Sequence, residues 1–480
     1  MSRAKVTAAV NAIRSDDVAP PSYAELAALV RSQAAIIEEL RAEVTELRGK
    51  LNTWGRDSHN SSQPPSTDNP FRKPAPAPKL GGGKRKVGGQ HGHAGATLLR
   101  KDPDTVVRHE LPARCLCGSS LEPTLNSVRQ VFDLPPTKMQ VSEHRTFKAI
   151  CRCGRIHRSE FPVTVKAPTQ YGPNLQAMAI YLTQHHMLPI ARTAQILGAL
   201  TGEPIAPSTV QNTIAGAAAM LVPAVELIKN AVGSSPVVHA DETGLRVAGG
   251  LHWMHVAVTE ELTFAGSHPK RGIEGIAHFG VLDQVQGTIV HDGFGPYKDL
   301  TCLHGLCNAH HLRELQFEAE TTGQLWSFDL IKVLLEANAE VRKTHSPLPA
   351  YQLEQLQRRY RTLLDEGERL NPPRDPAGGR RGRIKQSTAT CLLRRLRHLE
   401  EDVLRFAVDP DVPFTNNLAE RSIRMPKVKQ KISGCFRTAA GAQAFCTIRS
   451  YLATLAKQKR DLLGSLILAL QGNTPNPCFG

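Results

Sequence analysis

Apolar positions change their spacing several times along the chain, and each change marks a different kind of element. Between Leu26 and Trp54 a heptad holds, with Val30, Ile37, Val44 and Leu51 on one seam and Leu26, Gln33, Leu40, Leu47 and Trp54 on the other. That spacing predicts a short coiled coil over 22–55 and a homo-oligomer built on it, although an amphipathic helix lying on the chain's own core would show the same seam. The stretch 56–100, which includes HNSSQPPSTDNPFRKPAPAPKLGGGKRKVGGQHGHAG, has too little apolar surface to fold and is expected to be a basic disordered linker. After Pro173 the spacing turns helical. LPIARTAQILGALTGEPIAPSTVQNTIAGAAA reads as a helix, a Gly-Glu-Pro turn and a second helix opening at Pro207-Ser208-Thr209. Region 173–230 therefore resembles a helix-turn-helix, a pairing that serves either DNA reading or ordinary helical packing.

Beyond Pro236 the texture becomes β-rich, in PVVHADETGLRV, LHWMHVAVTEELTFAG and GIAHFGVLDQVQGTIVHDGFGPY. Val237 and Val238 lead to Asp241, and Ile289 and Val290 lead to Asp292, so an acid is expected at the end of each of two buried, neighbouring strands. Helical spacing returns over about 312–406, interrupted by the basic loop NPPRDPAGGRRGRIKQ. After it, Thr415, Asn416 and Asn417 stand where they would cap a helix carrying Glu420. These features delimit a catalytic domain over 235–455 with a helical insertion, and a C-terminal tail over 456–480.

Composition sharpens this outline. At 480 residues, 41% hydrophobic and 21% charged, the chain is large enough for two or three globular parts. Its net charge of +15 makes a polyanion the expected partner. The apolar runs are short or broken by charge, and the start MSRAKVTAAVNAIRSDD lacks a secretory stretch, so a cytoplasmic, nucleoid-associated protein with no membrane partner is expected. Between Arg72 and Gln170 there are 18 Lys plus Arg against 7 Asp plus Glu, the balance of a DNA-contacting arm or of a solvated basic surface. Within it, Cys115 and Cys117, then Cys151 and Cys153, are each followed by glycine, so 101–168 is expected to be a zinc-finger-like domain. The Cys-x-Cys spacing is tighter than the usual Cys-x2-Cys, which leaves open a replacement of one thiol by His157 or loss of the zinc.

Buried carboxylates repel one another unless a cation neutralises them, so Asp241 and Asp292 point to Mg²⁺ or Mn²⁺. Glu420 is placed to complete the site, and Arg421, Arg424, Lys427, Lys429 and Lys431 form a basic edge suited to a DNA strand. His239, Glu242, Arg246 and His291 flank the acids and serve either the site or local packing.

Four blocks, HADETG, VHDGFGPY, LCNAHHLREL and VPFTNNLAERSIRMPKVKQKISGCF, resemble in order and spacing the signature blocks of the insertion-sequence-66 family of DDE transposases. The likeness extends to the coiled coil, the NSSQPPSTD linker and the cysteine-paired domain. It implies an α/β architecture whose catalytic domain is RNase H-like, with Asp241, Asp292 and Glu420 as metal-binding catalytic acids for two ions. The resemblance also implies accessory roles for Cys307 and His310, DNA ends as substrate, and small companion proteins of the same element. Two other functions share these features: a catalytically silent DNA-binding regulator, which would be expected to have lost an acid, and a metal-dependent nuclease with the same metal site.

Overall fold

The computed structural model of the chain describes residues 98–373 and 386–479, apart from 115, 118 and 135–137, together with most of 22–40. Val44, Leu47, Leu51 and Trp54 of the heptad, the linker up to residue 97, Cys115 and most of the loop NPPRDPAGGRRGRIKQ lie outside the described residues. Leu26, Val30, Ile37 and Leu40 are helical and exposed. The chain divides into two units, one combining 98–307 with 411–479, the other combining 308–410 with the helical residues of 22–40.

In the first unit, 98–170 is exposed almost throughout, and its described residues contain a short hairpin of β1 (Lys148–Ile150) and β2 (Ile156–Arg158). Three helices follow: α1 (Pro173–Ile180), running into a π-helical turn at Tyr181–His185, then α2 (Ile190–Thr201) and α3 (Pro207–Gly233). Helix α2 stops on Gly202 at φ +79, a conformation that suits glycine, and α3 starts with Pro207 in its first turn, as the Gly-Glu-Pro and Pro-Ser-Thr signals predict. By length and composition α3 is apolar enough to cross a bilayer, contrary to the sequence expectation. Its face from Val210 through Leu221 and Ile228 to Val232 is instead buried in the main core. That core joins α1–α3 to the sheet, so 173–230 is part of the same hydrophobic body as the acids.

The sheet has five strands in the order β5-β4-β3-β6-β7. Strands β3 (Val237–Val247), β4 (Gly250–Val258) and β5 (Thr263–His268) form an antiparallel meander, whereas β6 (Thr288–His291) and β7 (Leu303–Leu306) run parallel to β3. Between β5 and β6 the segment GIAHF forms α4 (Ile273–Phe279) where a strand was expected; Ile276 and Phe279, three apart on one helical face, are both buried.

The second unit is helical. Helices α5 (Asn308–Thr322), α6 (Leu325–Thr344), α7 (Ala350–Leu370) and α8 (Thr388–His398) are followed by the short α9 (Glu400–Val403) and α10 (Arg405–Val408). Trp326, Leu330, Tyr360 and Leu396 are fully buried there, and the Tyr360 hydroxyl donates to Leu396 O at 2.9 Å.

Back in the first unit, α11 (Asn417–Ser433) packs on β3, α12 (Ala439–Lys457) lies along β5, and α13 (Leu462–Leu470) packs on α1. Ala265 N–H and Thr263 N–H on the outer edge of β5 donate to Ser450 Oγ (2.9 Å) and Thr454 Oγ1 (3.0 Å) of α12, which closes that edge against further pairing. Leu466 and Ala469 of α13 are fully buried, so the segment expected to be a tail contributes to the core.

Candidate active site

The acids are set by three different local devices. Asp241 lies inside β3, beyond the point where the parallel ladder to β6 stops at His239↔Val290, while the antiparallel ladder to β4 continues to Val247. The sequence places it at a strand end; the hairpin partner carries the strand further. Its Oδ1 accepts the Glu242 N–H at 2.8 Å. Asp292 directly follows β6, where Gly293 at φ +90 turns the chain, and Asp292 Oδ1 accepts the Phe294 N–H at 2.9 Å. Glu420 sits in the first turn of α11 beside fully buried Ala419, and the Cys307 thiol lies 3.9 Å from its Oε1.

Helix α11 is strapped along β3 at three points. Asn416 is its N-cap residue, yet the side chain does not cap; Nδ2 donates to Ala240 O (2.8 Å) and Oδ1 meets His239 Nδ1 (2.9 Å). Asn416 N–H donates to Cys307 Sγ at 3.2 Å. Midway, Lys427 Nζ donates to Gly244 O at 2.9 Å, and just past the helix Phe436 bonds both Arg246 O (2.9 Å) and Ala248 N–H (2.8 Å). These straps fix Glu420 relative to the strand that carries Asp241. Truncating Asn416 to Ala leaves the Ala240 carbonyl and the His239 ring nitrogen buried without their partner. We expect a loss of roughly 1–3 kcal/mol in unfolding free energy, measured by urea titration, because orphaned buried polar groups cost that much.

The charges of the other carboxylates reach Asp241. Burial pushes the Asp241 carboxyl up to about 8, helped by the negative charges of Glu242, Asp292 and Glu420. Burial also raises Glu242, against hydrogen bonds from Tyr297 and Arg271 that lower it. The Tyr297 hydroxyl donates to Glu242 Oε2 at 2.6 Å, and Arg271 Nε and Nη2 both donate to Oε1, at 2.9 and 2.6 Å. Burial holds His291 neutral, down at about 3, with Nδ1 accepting the Gly293 N–H at 3.0 Å and Nε2 meeting His304 Nδ1 at 3.1 Å.

The predicted basic edge divides. Arg421, Arg424 and Lys431 are exposed; Lys427 is engaged with Gly244, and Lys429 is partly buried over the rings of Phe436 and Phe445 (5.3 and 5.5 Å). Arg246 is exposed, with Nη1 on Gly249 O at 3.3 Å. Cys307 is beside Glu420, and His310 stands in the first turn of α5, in the helical unit. Among the candidate zinc ligands, Cys151 and Cys153 flank the β1–β2 turn, closed by Cys151 N–H on Arg155 O (2.8 Å) and Gly154 N–H on Cys151 O (2.8 Å). The backbone and thiol of Cys153 lower the Cys151 thiol. Cys117 is exposed, close to a bridge between Arg114 and Ser120. Sequence reasoning missed Arg271, Tyr297 and the clasp role of Asn416, and gave Glu242 no definite part.

A mixed α/β unit with clustered carboxylates at its central strand is thus in place. Residues 168–444, more than half of the chain, match the family described as Transposase IS66 family, and the chain belongs to that family. It is a transposase, and its substrate class is DNA. Residues 11–98 match a Family of unknown function (DUF6444). No curated protein matches the chain.

Proposed function

We propose that the chain is a DDE transposase that binds the terminal repeats of its element and cuts and joins DNA with two divalent cations held by Asp241, Asp292 and Glu420. The observation that carries this is the placement of the acids: Asp241 in β3, Asp292 directly after the neighbouring parallel strand β6, and Glu420 in the first turn of α11, which packs on β3. Such a set of hard oxygen donors is costly when charged and suits Mg²⁺ or Mn²⁺. When bound, the ions would supply Lewis-acid stabilisation of the attacking and leaving oxygens in an in-line displacement at phosphorus. The chain's own part is positional. Gly293 and the Phe294 N–H orient Asp292, the Glu242 N–H orients Asp241, and the straps from Asn416 to Phe436 orient Glu420. Exposed Arg421 and Arg424 on α11 offer charge to the phosphate backbone next to that acid. The strand order, with β3 central, an antiparallel meander on one side and parallel strands on the other, supports an RNase H-like domain.

In this scheme region 101–168 and helices α1–α3 read the element ends, and the heptad segment pairs two of them. Cys115, Cys117, Cys151 and Cys153 would hold a structural zinc ion. The test is incubation of the purified chain and Mg²⁺ with DNA bearing the element's ends and a target. Cleaved and joined products are expected. Cleavage without joining would leave a nuclease, and binding without cleavage would favour a regulator.

A further inference from the structure

Arg271 is held in a way that neutralising Glu242 does not require. It lies in the loop between β5 and α4, with its guanidinium stacked between two rings, 4.8 Å from the Trp253 ring and 4.0 Å from that of Phe294. One side of the guanidinium plane, Nε with Nη2, is spent on Glu242 Oε1. Both rings lie within cation–π distance of the guanidinium, and Glu242, only 1% exposed, takes two of its N–H groups. What remains is the end-on edge, Nη1 with the second hydrogen of Nη2, and the Arg271 side chain is still 41% exposed. A salt bridge needed only for folding would gain nothing from leaving donors over on a side chain that is 41% exposed.

This fork is also tied to Asp292. Phe294 N–H donates to Asp292, so one of the residues gripping Arg271 is tied to that acid; Glu242 follows Asp241 in β3 and leaves the other face of the strand. The loop is pressed close as well: a Cβ on Gly275 would come within 2.3 Å of Lys270 O and 2.8 Å of His255 Nε2, so glycine lets α4 hold the Arg271 loop against the sheet. Because Glu242 cancels its charge, Arg271 adds direction more than net potential. Two parallel N–H donors match a phosphodiester's two free oxygens, the geometry in which arginine binds phosphate best.

We infer that Arg271 binds a DNA phosphate next to the cleavage position and aligns the strand against Asp292. The inference rests on the transposase function proposed above and adds a phosphate subsite to it. Arg271→Lys keeps a cation beside Glu242 and so preserves folding, checked by thermal unfolding, but loses the fork; cleavage of element ends should fall about 10- to 100-fold, the worth of one charge-assisted bidentate contact. The discriminating experiment uses duplex ends carrying a single neutral methylphosphonate at each position in turn. In the wild type one position beside the cleavage point should lose about tenfold in cleavage, and in Arg271→Lys that same position should lose nothing further. If every methylphosphonate costs the two proteins equally, Arg271 touches no phosphate and the inference is overturned. If the wild type neither binds nor cleaves unmodified ends, the transposase proposal fails and this one with it.

Discussion

Exchanging Glu420 for Gln, a loss of one charge with almost no change in volume, is expected to lower cleavage and strand transfer by about a thousandfold or more while end binding stays near that of the wild type. Ala419 and the Asn416 and Phe436 straps hold the start and end of α11, and the carboxamide oxygen of the Glu420→Gln variant can still accept from the Cys307 thiol, so the helix keeps its place. What disappears is one of the negative groups that the Asp241 carboxyl feels and, in the proposed mechanism, a ligand for the cations. Metal stabilisation of charge at the reacting oxygens is worth several kcal/mol, and each ~1.4 kcal/mol is a factor of ten in rate. Gel assays of cleaved and joined products, run beside a binding titration, check both halves. Cleavage at the wild-type rate would remove Glu420 from the centre, and lost binding would mean that the substitution had damaged the fold.

The second large effect concerns pH. In the metal-free protein the Asp241 carboxyl keeps its proton up to about 8, whereas in the unfolded chain it releases it near its ordinary value of 3.8. Between those limits the native state binds more protons than the unfolded state, so its stability falls as pH rises, and levels off above about 8 once both states have lost the proton. The expected loss is roughly 2–5 kcal/mol across the window. Mg²⁺ or Mn²⁺ replaces the proton as the neutralising charge, so it should raise the melting temperature by several degrees at pH 8 and hardly at all at pH 5, where the proton competes. Asp241→Asn should flatten the contribution of this site and blunt the metal response. Thermal unfolding from pH 5 to 8, with and without Mg²⁺, makes the comparison; equal metal effects at both ends would mean that the carboxyls do not share a cation site.

The elements that carry the proposed acids were legible in the sequence: Val237-Val238 and Ile289-Val290 announce buried strands, and the asparagines before Glu420 announce a helix start. Even there the sequence mistook how Asn416 works. A carboxamide at an N-cap normally bonds the helix's own N–H groups, but here Ala240 and His239, far away in the chain, compete for it and win. Arg271 was not legible because nothing in SHPKRGIEG is periodic; its importance arises from Glu242, Trp253 and Phe294 meeting around it. Helix α4 and strand β7 were hidden by length, since runs as short as GIAHF and LHGL fit either kind of element. The contacts of Lys427 with Gly244 and of Lys429 with the Phe436 ring were not legible either, because charge alone does not tell a phosphate ligand from a strap or a cation over aromatic rings.

The Asn416 N–H on Cys307 Sγ has a consequence for how this chain can diversify. It joins the two banks between which the polypeptide leaves for the excursion over 308–410 and comes back at Asp411. With the seam sewn by the sheet-bearing unit's own atoms, the price of a longer or shorter excursion rises only with the logarithm of its length. The interval can change its length without moving the two ends that Cys307 and Asn416 join.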